Sequence, residues 1–465
     1  MDSLPTWRRI VYCGGSAGFS ALDNIFGAWL IYFLLPPAES GLPQLVSNEV
    51  LFLGLTVTGL VVLFGRAVDA VADPLVAHWS DNSTSRWGRR RFFILTGSLP
   101  FALTCALLFV PPHGDRISGA NGAYVAVVLG LYFFFYTYYY TPYLALIPDL
   151  TRNHADRLRM TALQAFFLIV GAVLSLILLP ALRAPLAAAY GEGWGFRLAV
   201  FGVAAIAFVL LIAVVPAVDE RRFVQRQVTP NGSASVDLWA SLRSTIADRT
   251  FVIYVVALIL YWFCFMMFRP VIPYLPEVLL GKEPDFQMVL MAVLFGGAAL
   301  FFVLLGLLAK RLSNKTLMLS GLLSFSILSG LSYFLGDLGD QRATWALGYM
   351  FLLGYPVAVL LVVPNAIVSD ISELSAHRSG QKREAMYFGA QGFLQKLNYG
   401  ISVVVLAYLF ATHGKDVANP LGVQLAGPVG AVFAFAGFLV FSRFPQRQMS
   451  DALARHRSAA STPVD

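Results

Sequence analysis

Apolar residues run along this chain in blocks of about twenty, each long enough to cross a hydrocarbon layer about 30 Å thick, with short polar segments between them. The blocks predict an all-α membrane protein of twelve transmembrane helices, near residues 10–35, 49–78, 92–111, 121–148, 161–182, 196–216, 251–275, 287–309, 316–335, 344–366, 385–411 and 427–444. The first block has no small-residue cleavage site and is expected to stay as a helix rather than leave as a signal peptide. The longest polar stretch, 217–250, contains Pro230, Asn231 and Gly232. It reads as a linker between a first six-helix half, 1–216, and a second, 251–444, followed by a polar tail, 445–465.

The polar segments repeat. AHWSDNSTSRWGRRR follows the second block and LAKRLSNK the eighth; PDLTRNHADRLR follows the fourth and SDISELSAHRSGQKRE the tenth. Each pair is about 220 residues apart, so the match concerns corresponding loops of two halves. Two such halves with a site between them form an architecture that membrane transporters use.

Composition agrees with the block pattern. The chain is 58% apolar and 13% charged, where a soluble domain carries about 25% charge. The net charge of +7 would suit an anionic partner were it not so distributed. Arginines and lysines crowd at Arg8 and Arg9, Arg86 to Arg91, Arg152 to Arg159, Arg221 to Arg249, Lys310 to Lys315, Arg378 to Arg383 and the tail. The alternate loops hold little beyond Arg116, Arg183, Lys282, Arg342 and Lys415. This bias predicts a multi-pass protein of the plasma (inner) membrane with both termini cytoplasmic, and it gives no reason to expect nucleic acid. Cys13, Cys105 and Cys264 lie far apart inside apolar blocks, and the histidines are scattered, so neither a disulfide framework nor a metal spacing is present. No nucleophile and base, phosphate loop or soluble sensor domain stands out. Neither an enzyme nor a cofactor is therefore expected.

Ionisable residues inside membrane helices are costly, so the exceptions carry information. They are Asp23, Arg66, Asp69, Asp73, Arg269 and Lys396. Asp69 and Asp73 are four residues apart and share a helix face. Two carboxylates so close in low dielectric need a cation between them or a raised affinity for protons. Na⁺ or Li⁺ would satisfy carboxylate oxygens, and so would H⁺, with Lys396 as a third member. Fixed ion pairs to Arg66 and Lys396 are the structural alternative. Asp23 suits a solute contact or an ion pair; Arg269, immediately before Pro270, suits an interface or a solute contact. The fourth block is dense in aromatic residues, of which Tyr136 and Tyr140 share a face that could meet a solute ring while the others pack. The loop charges Asp81, Arg86, Arg90, Asp149, Arg157, Asp370, Glu373 and Arg378 could be solvated, but their recurrence in both halves suggests a gate of ion pairs.

The segments RAVDAVADPLVAHWSD with SRWGRRR, PDLTRNHADR, SDISELSAHRSGQKREAMYFG and QGFLQKLNYG resemble the glycoside-pentoside-hexuronide:cation symporter family of the major facilitator superfamily, over nearly the whole chain. The resemblance implies the major facilitator fold of two pseudo-symmetric six-helix halves. It further implies symport of a cation with a small organic solute, a sugar or glycoside, by alternating access. It makes Asp69 and Asp73 the cation-binding acids and Thr137 a further oxygen ligand. Lys396 becomes the lysine beside that site, and Gln391, on the same helix, a solute contact with Asp23, Tyr136, Tyr140 and Arg269. The family's galactoside contacts are replaced here: Tyr140 stands for the fourth-helix acid, a position near Ser20 for the first-helix acid, and one near Ala165 for the fifth-helix arginine. A lipid or lysolipid is therefore the alternative cargo. The expected partners are one solute, one monovalent cation and the bilayer, with the chain a monomer.

Overall fold

A computed structural model describes residues 5–52, 54–151, 154–218, 220, 248–309, 311–379 and 384–446. Most of the expected linker, 217–250, and nearly all of the tail, 445–465, lie outside the described residues.

Twelve helical segments account for most of the described chain. Helix α1 runs Thr6–Asn24, widens into a π turn at Ile25–Trp29 and closes as Leu30–Leu34. A two-stranded hairpin, β1 Val50–Phe52 and β2 Leu55–Thr56, precedes α2, Val57–Asn82. Then come α3 Arg91–Leu107, α4 Gly119–Leu150, α5 with His154–Val173, a π turn Leu174–Leu178 and Leu179–Tyr190, and α6 Glu192–Ala217. Helix α7 is Arg249–Phe268, continued by a 3-10 turn Arg269–Tyr274 and a π turn Leu275–Leu280. The rest are α8 Phe286–Leu308, α9 Asn314–Leu331 with a 3-10 extension Ser332–Asp337, α10 Arg342–Ser379, α11 Glu384–His413 and α12 Leu421–Ser442.

Local chemistry sets several of these boundaries. The second helix starts at Val57, not 49, because Gly54 at φ 80° turns the chain and the Thr56 hydroxyl accepts from Gly59 N at 3.1 Å, capping the first turn. Ser118 and Ser313 cap α4 and α9 in the same way. Helix α10 continues past 366 to Ser379 because Ile367, Val368, Ile371 and Leu374 extend a buried stripe at helical spacing through an otherwise polar segment. Pro270, Pro273 and Pro276 withdraw three backbone donors in succession, which explains why α7 abandons the α-helical ladder after Phe268.

Ten of the helical segments are long and apolar enough to cross a bilayer. Helix α3 is short, at 17 residues, and α2 carries Arg66, Asp69 and Asp73. Apolar side chains such as Val71, Leu131, Val209 and Val303 are exposed, as an apolar solvent permits.

The chain forms two compact units. One comprises Met1–Val228, Arg269–Met291 and Val403–Val423; the other comprises Thr229–Phe268, Ala292–Ser402 and Gln424–Asp465. The first unit thus holds α1 to α6 together with the irregular end of α7 and the end of α11. The division falls at the break in α7, between Phe268 and Arg269. Inside the first unit, α1 is the central helix, nearly all of it buried, and glycines let its neighbours approach closely. A Cβ at Gly15 would meet Val214 at 2.5 Å, and one at Gly171 would strike the Ala17 carbonyl and Ser20.

Candidate functional site

Helices α2 and α4 of the first unit bring three oxygens together. The Thr137 hydroxyl lies 2.7 Å from Asp69 Oδ1 and 3.1 Å from Asp73 Oδ1. Thr137 and Asp69 are fully buried and Asp73 is half-buried. Arg66, one turn earlier on α2, donates from Nη1 to Asp69 Oδ2 at 3.2 Å. Its guanidinium lies 4.3 Å from the Phe133 ring centroid and 5.5 Å from that of Phe26, which orients the charge without hydrating it. A hydroxyl carries one proton, so Thr137 can donate to only one of the two carboxylates at a time. A proton on one carboxyl, or a cation among the three oxygens, is one way for both carboxylates to share this bridge. Arg66, Asp69 and Asp73 together carry one net negative charge when all are ionised.

Lys396 and Gln391, both on α11, belong to the second unit. Lys396 is half-buried. Gln391 is buried and its Oε1 accepts from Tyr254 at 2.9 Å, a hydroxyl also 2.8 Å from Pro364 O.

Asp23 and Arg269 meet in the first unit. Arg269 Nη2 lies 3.0 Å from Asp23 Oδ2, 2.7 Å from the Asp23 carbonyl and 2.9 Å from Asn24 Oδ1. Asp23 is within electrostatic reach of Tyr136 and Tyr140. The Tyr140 ring stacks on Phe19, centroids 3.5 Å apart, and Tyr136 tilts against the same ring at 4.8 Å. Tyr132, Tyr139 and Tyr143 are buried and spend their hydroxyls on the Leu22, Leu211 and Tyr12 carbonyls. Packing therefore accounts for those three, while Tyr136 and Tyr140 remain half-exposed.

The loop charges form a clasp in each unit. In the first, Arg90 bonds Asp149 and the Ala145 carbonyl through Nη1 and reaches Asp81 Oδ1 at 3.0 Å through Nη2. Arg89 adds a looser contact to Asp149 at 3.7 Å. Burial pushes the Asp149 carboxyl above the usual aspartate value, while Arg90 and Arg89 pull it down. Glu220, beyond α6, accepts from the backbone N–H of Arg90 at 2.7 Å and also from that of Arg91, so it caps the start of α3. In the second unit Asp370 accepts from Asn314 Nδ2 at 3.2 Å, and Lys315 Nζ lies 2.7 Å from Phe444 O and 2.5 Å from Ser442 O. The clasps correspond element for element: the start of α3 with the ends of α4 and α6, and the start of α9 with the ends of α10 and α12. Arg86 and Arg157 are exposed, Glu373 is half-buried, and the Arg378 side chain lies outside the described residues. The polar run beyond the sixth block drew no attention to Glu220, since one acid among linker charges has no signature.

The opposite end of the first unit holds a network that sequence reasoning missed. Tyr32 donates to Glu277 Oε2 at 2.8 Å; Arg183 donates to Tyr32 at 3.3 Å and to Glu192 Oε2 at 2.9 Å. Tyr274 donates to Leu35 O at 2.7 Å, Ala38 N to Asp416 Oδ1 at 2.7 Å and Val417 N to Glu39 Oε1 at 3.0 Å, and Lys415 reaches Pro36 O. These bonds join the end of α1 to the ends of α7 and α11. They clamp these three ends together at one end of the unit.

Residues 11–446 match the family described as MFS/sugar transport protein. An uncharacterized symporter of Synechocystis sp. is 22% identical, covering 96% of this chain and 95% of its own length. The putative glycoside/cation symporter YagG of Escherichia coli (strain K12) is 25% identical over 90% of this chain and 91% of its own. A lactose permease of Leuconostoc lactis is 23% identical over 94% of this chain and 67% of its own. Among solved structures, a bacterial homolog of the human lysosomal transporter Spinster superposes with TM-score 0.63 at 15% identity, covering 95% of this chain and 96% of that one. The nucleoside transporter NupG does so with TM-score 0.61 at 10% identity, covering 94% and 98%. At such identities the superpositions speak for the fold alone. The matched span and the twelve helices show that this chain is a membrane transport protein and not an enzyme, and that it belongs to the MFS/sugar transport protein family, among relatives of the glycoside-pentoside-hexuronide:cation symporter kind.

Proposed function

We propose that the protein is a secondary symporter that couples a monovalent cation to the uptake of a small organic solute, a sugar or glycoside, across the plasma (inner) membrane by alternating access. The observation that carries this reading is the single Thr137 hydroxyl held between two carboxylates, 2.7 Å from Asp69 and 3.1 Å from Asp73. Carboxylate and hydroxyl oxygens are hard ligands of the kind that suit Na⁺ or Li⁺, and the carboxylates can instead take H⁺. Relatives named as glycoside/cation symporter and lactose permease support a carbohydrate as solute.

In this reading Asp69, Asp73 and Thr137 take the cation, and Arg66 holds Asp69 in place beside it. Asp23, Tyr136, Tyr140 and Arg269 border the solute. The proposed roles of Lys396, tuning the cation site, and Gln391, contacting solute, rest on the family pattern. Asp81, Arg90 and Asp149, with Asp370, Glu373, Arg86, Arg157 and Arg378, serve the cytoplasmic gate. Both termini then lie in the cytoplasm, the clamped end of the first unit faces outward, and the chain works as a monomer.

The test needs no knowledge of the solute. The detergent-purified protein is unfolded thermally in NaCl, LiCl and KCl at matched ionic strength and several pH values, alongside Asp69→Asn and Asp73→Asn. A midpoint that rises with Na⁺ or Li⁺ but not K⁺, and is flat in both variants, supports a cation site there. Dependence on pH alone, lost in both variants, assigns the role to H⁺. If the midpoint ignores both salt and pH, the carboxylate pair is structural and the symport reading falls.

A further inference from the structure

The first helix carries a seat shaped for a planar cation. Asp23 supplies a carboxylate and a backbone carbonyl, Asn24 an amide carbonyl, and all three meet one nitrogen of Arg269 at 2.7–3.0 Å. The floor of the seat is Gly27, in the π turn Ile25–Trp29. Any Cβ there would collide with Cζ and both Nη atoms of the Arg269 guanidinium. The widened turn and the missing side chain thus make room for a flat group that a regular helix with a side chain at 27 would exclude. Arg269 itself is 9% exposed and begins the irregular part of α7, whose other residues form part of the clamped end.

We propose that this seat is a solute subsite that the protein fills with its own arginine: Arg269 holds Asp23 and Asn24 while α7 is docked on α1, and solute takes the same acceptors when that segment withdraws. The inference rests on the transport reading and deepens it, because it makes Arg269 an internal competitor of solute. The three groups that meet Arg269 all accept, and the Asn24 amide N–H is spent on Ser20, so the solute admitted here presents hydroxyl or cationic donors. Once Arg269 has left, the Asp23 carboxylate repels an acid. Neutral polyhydroxylated solutes are therefore favoured over uronates at this subsite, and closing and solute release become one event.

The test uses the full chain in liposomes with a cysteine at Val278, a buried position on the outer segment of α7, and reads its labelling rate by a charged thiol reagent. The native Cys13, Cys105 and Cys264 are buried. Arg269→Ala and Gly27→Ala are each expected to speed labelling roughly tenfold, the equilibrium shift that loss of about one charge-assisted hydrogen bond produces. Guanidinium chloride at non-denaturing concentration should restore protection to Arg269→Ala, but not to Arg269→Ala combined with Asp23→Asn. Arg269→Lys, which keeps the charge and loses the fork, should fall between. Unchanged labelling in both Arg269→Ala and Gly27→Ala overturns the proposal, as does faster labelling on which guanidinium has no effect. Gel filtration of each variant separates these outcomes from misfolding. Because labelling requires neither solute nor cation, a failure here is distinct from a failure of the salt titration that tests symport.

Discussion

Thr137→Val removes one buried hydroxyl from the centre of the proposed cation site and keeps the branched shape of the side chain. The hydroxyl stands 2.7 Å from Asp69 Oδ1 and 3.1 Å from Asp73 Oδ1, with Asp69 fully buried and Asp73 half-buried. A hydrogen bond to a charged group is worth about 1.5–3 kcal/mol, and a comparable amount is lost when a bound cation gives up one oxygen. At about 1.4 kcal/mol per tenfold, the dissociation constant of the cation should rise roughly 10- to 100-fold. The readout is thermal unfolding against NaCl concentration. At a concentration a hundred times the wild-type constant, binding stabilises the native state by about 2.7 kcal/mol; with the constant raised a hundredfold the same salt gives only about 0.4 kcal/mol. The variant's curve should therefore be displaced to higher salt with the same final height. If Thr137→Val follows the wild-type curve while Asp69→Asn is flat, the hydroxyl does not touch the cation. The three-oxygen site would then be refuted even though the acid remains essential.

Other expectations follow from the clasps and the clamped end. Glu220→Gln keeps the shape of the α3 cap but removes its charge, and should cost about 1 kcal/mol of stability by chemical unfolding, even though both N–H groups converge on Oε1 and the Gln carbonyl can still accept them. The Asp149 carboxyl sits above its ordinary value through burial, so the folded protein holds this proton more readily than the unfolded chain does. Its contribution is complete below about pH 4, the unfolded value, and is lost as pH rises through the folded one. The midpoint of wild type minus that of Asp149→Asn should therefore fall with rising pH, and a difference that grows would mean that the Arg90 pair outweighs burial. Tyr32→Phe leaves Glu277 Oε2 and Arg183 without the hydroxyl that links them and should destabilise by about 1–3 kcal/mol, more than Glu277→Gln, in thermal unfolding. Gly171→Leu drives a side chain into the Ala17 carbonyl and should abolish a monodisperse gel-filtration peak, whereas Gly119→Leu, in open space, should not.

The fold was legible because the bilayer simplifies the code: a helix that must satisfy its own backbone bonds in an apolar solvent shows as a block of apolar residues. The second helix was readable even though Arg66, Asp69 and Asp73 dilute its hydropathy, because the flanking apolar residues keep the block intact. Asp69 and Asp73 announce themselves by spacing. The convergence of Thr137 on them does not, since it depends on how α4 packs against α2, and the family resemblance supplied it instead. The π turns of α1 and α5 were invisible because no residue encodes them; they show only in packing, as where Trp29 Nε1 donates to Ser175 O at 3.0 Å within the wide turn of α5. Asp23 and Arg269 looked like separate questions in sequence, each with two readings. They are one ion pair, 246 residues apart along the chain.

The two ends of the first unit differ in what opening them would cost, and that difference bears on why cation and solute should have to bind together. At the clasp end, Asp81 and Arg89 are well exposed, with side-chain accessibilities of 58% and 42%, so their ion pairs are worth roughly 0–1 kcal/mol each. At the clamped end Tyr32, Tyr274, Glu277 and Arg183 are buried, and parting them leaves polar groups to be resolvated together. Suppose the clamped state is favoured about 99 to 1. Reversing that ratio takes about 5.5 kcal/mol of differential binding. A cation at a hundred times its dissociation constant, binding only the open form, supplies about 2.7 kcal/mol, and a solute on the same terms supplies as much again. Either ligand alone leaves the population near balance; both together complete the shift. Labelling at Val278→Cys should accordingly rise part of the way with NaCl alone and reach its limit only when NaCl and a transported glycoside are both present. Full labelling with salt alone would show that the cation by itself opens the clamp, and the coupling would then have to arise in the clasp.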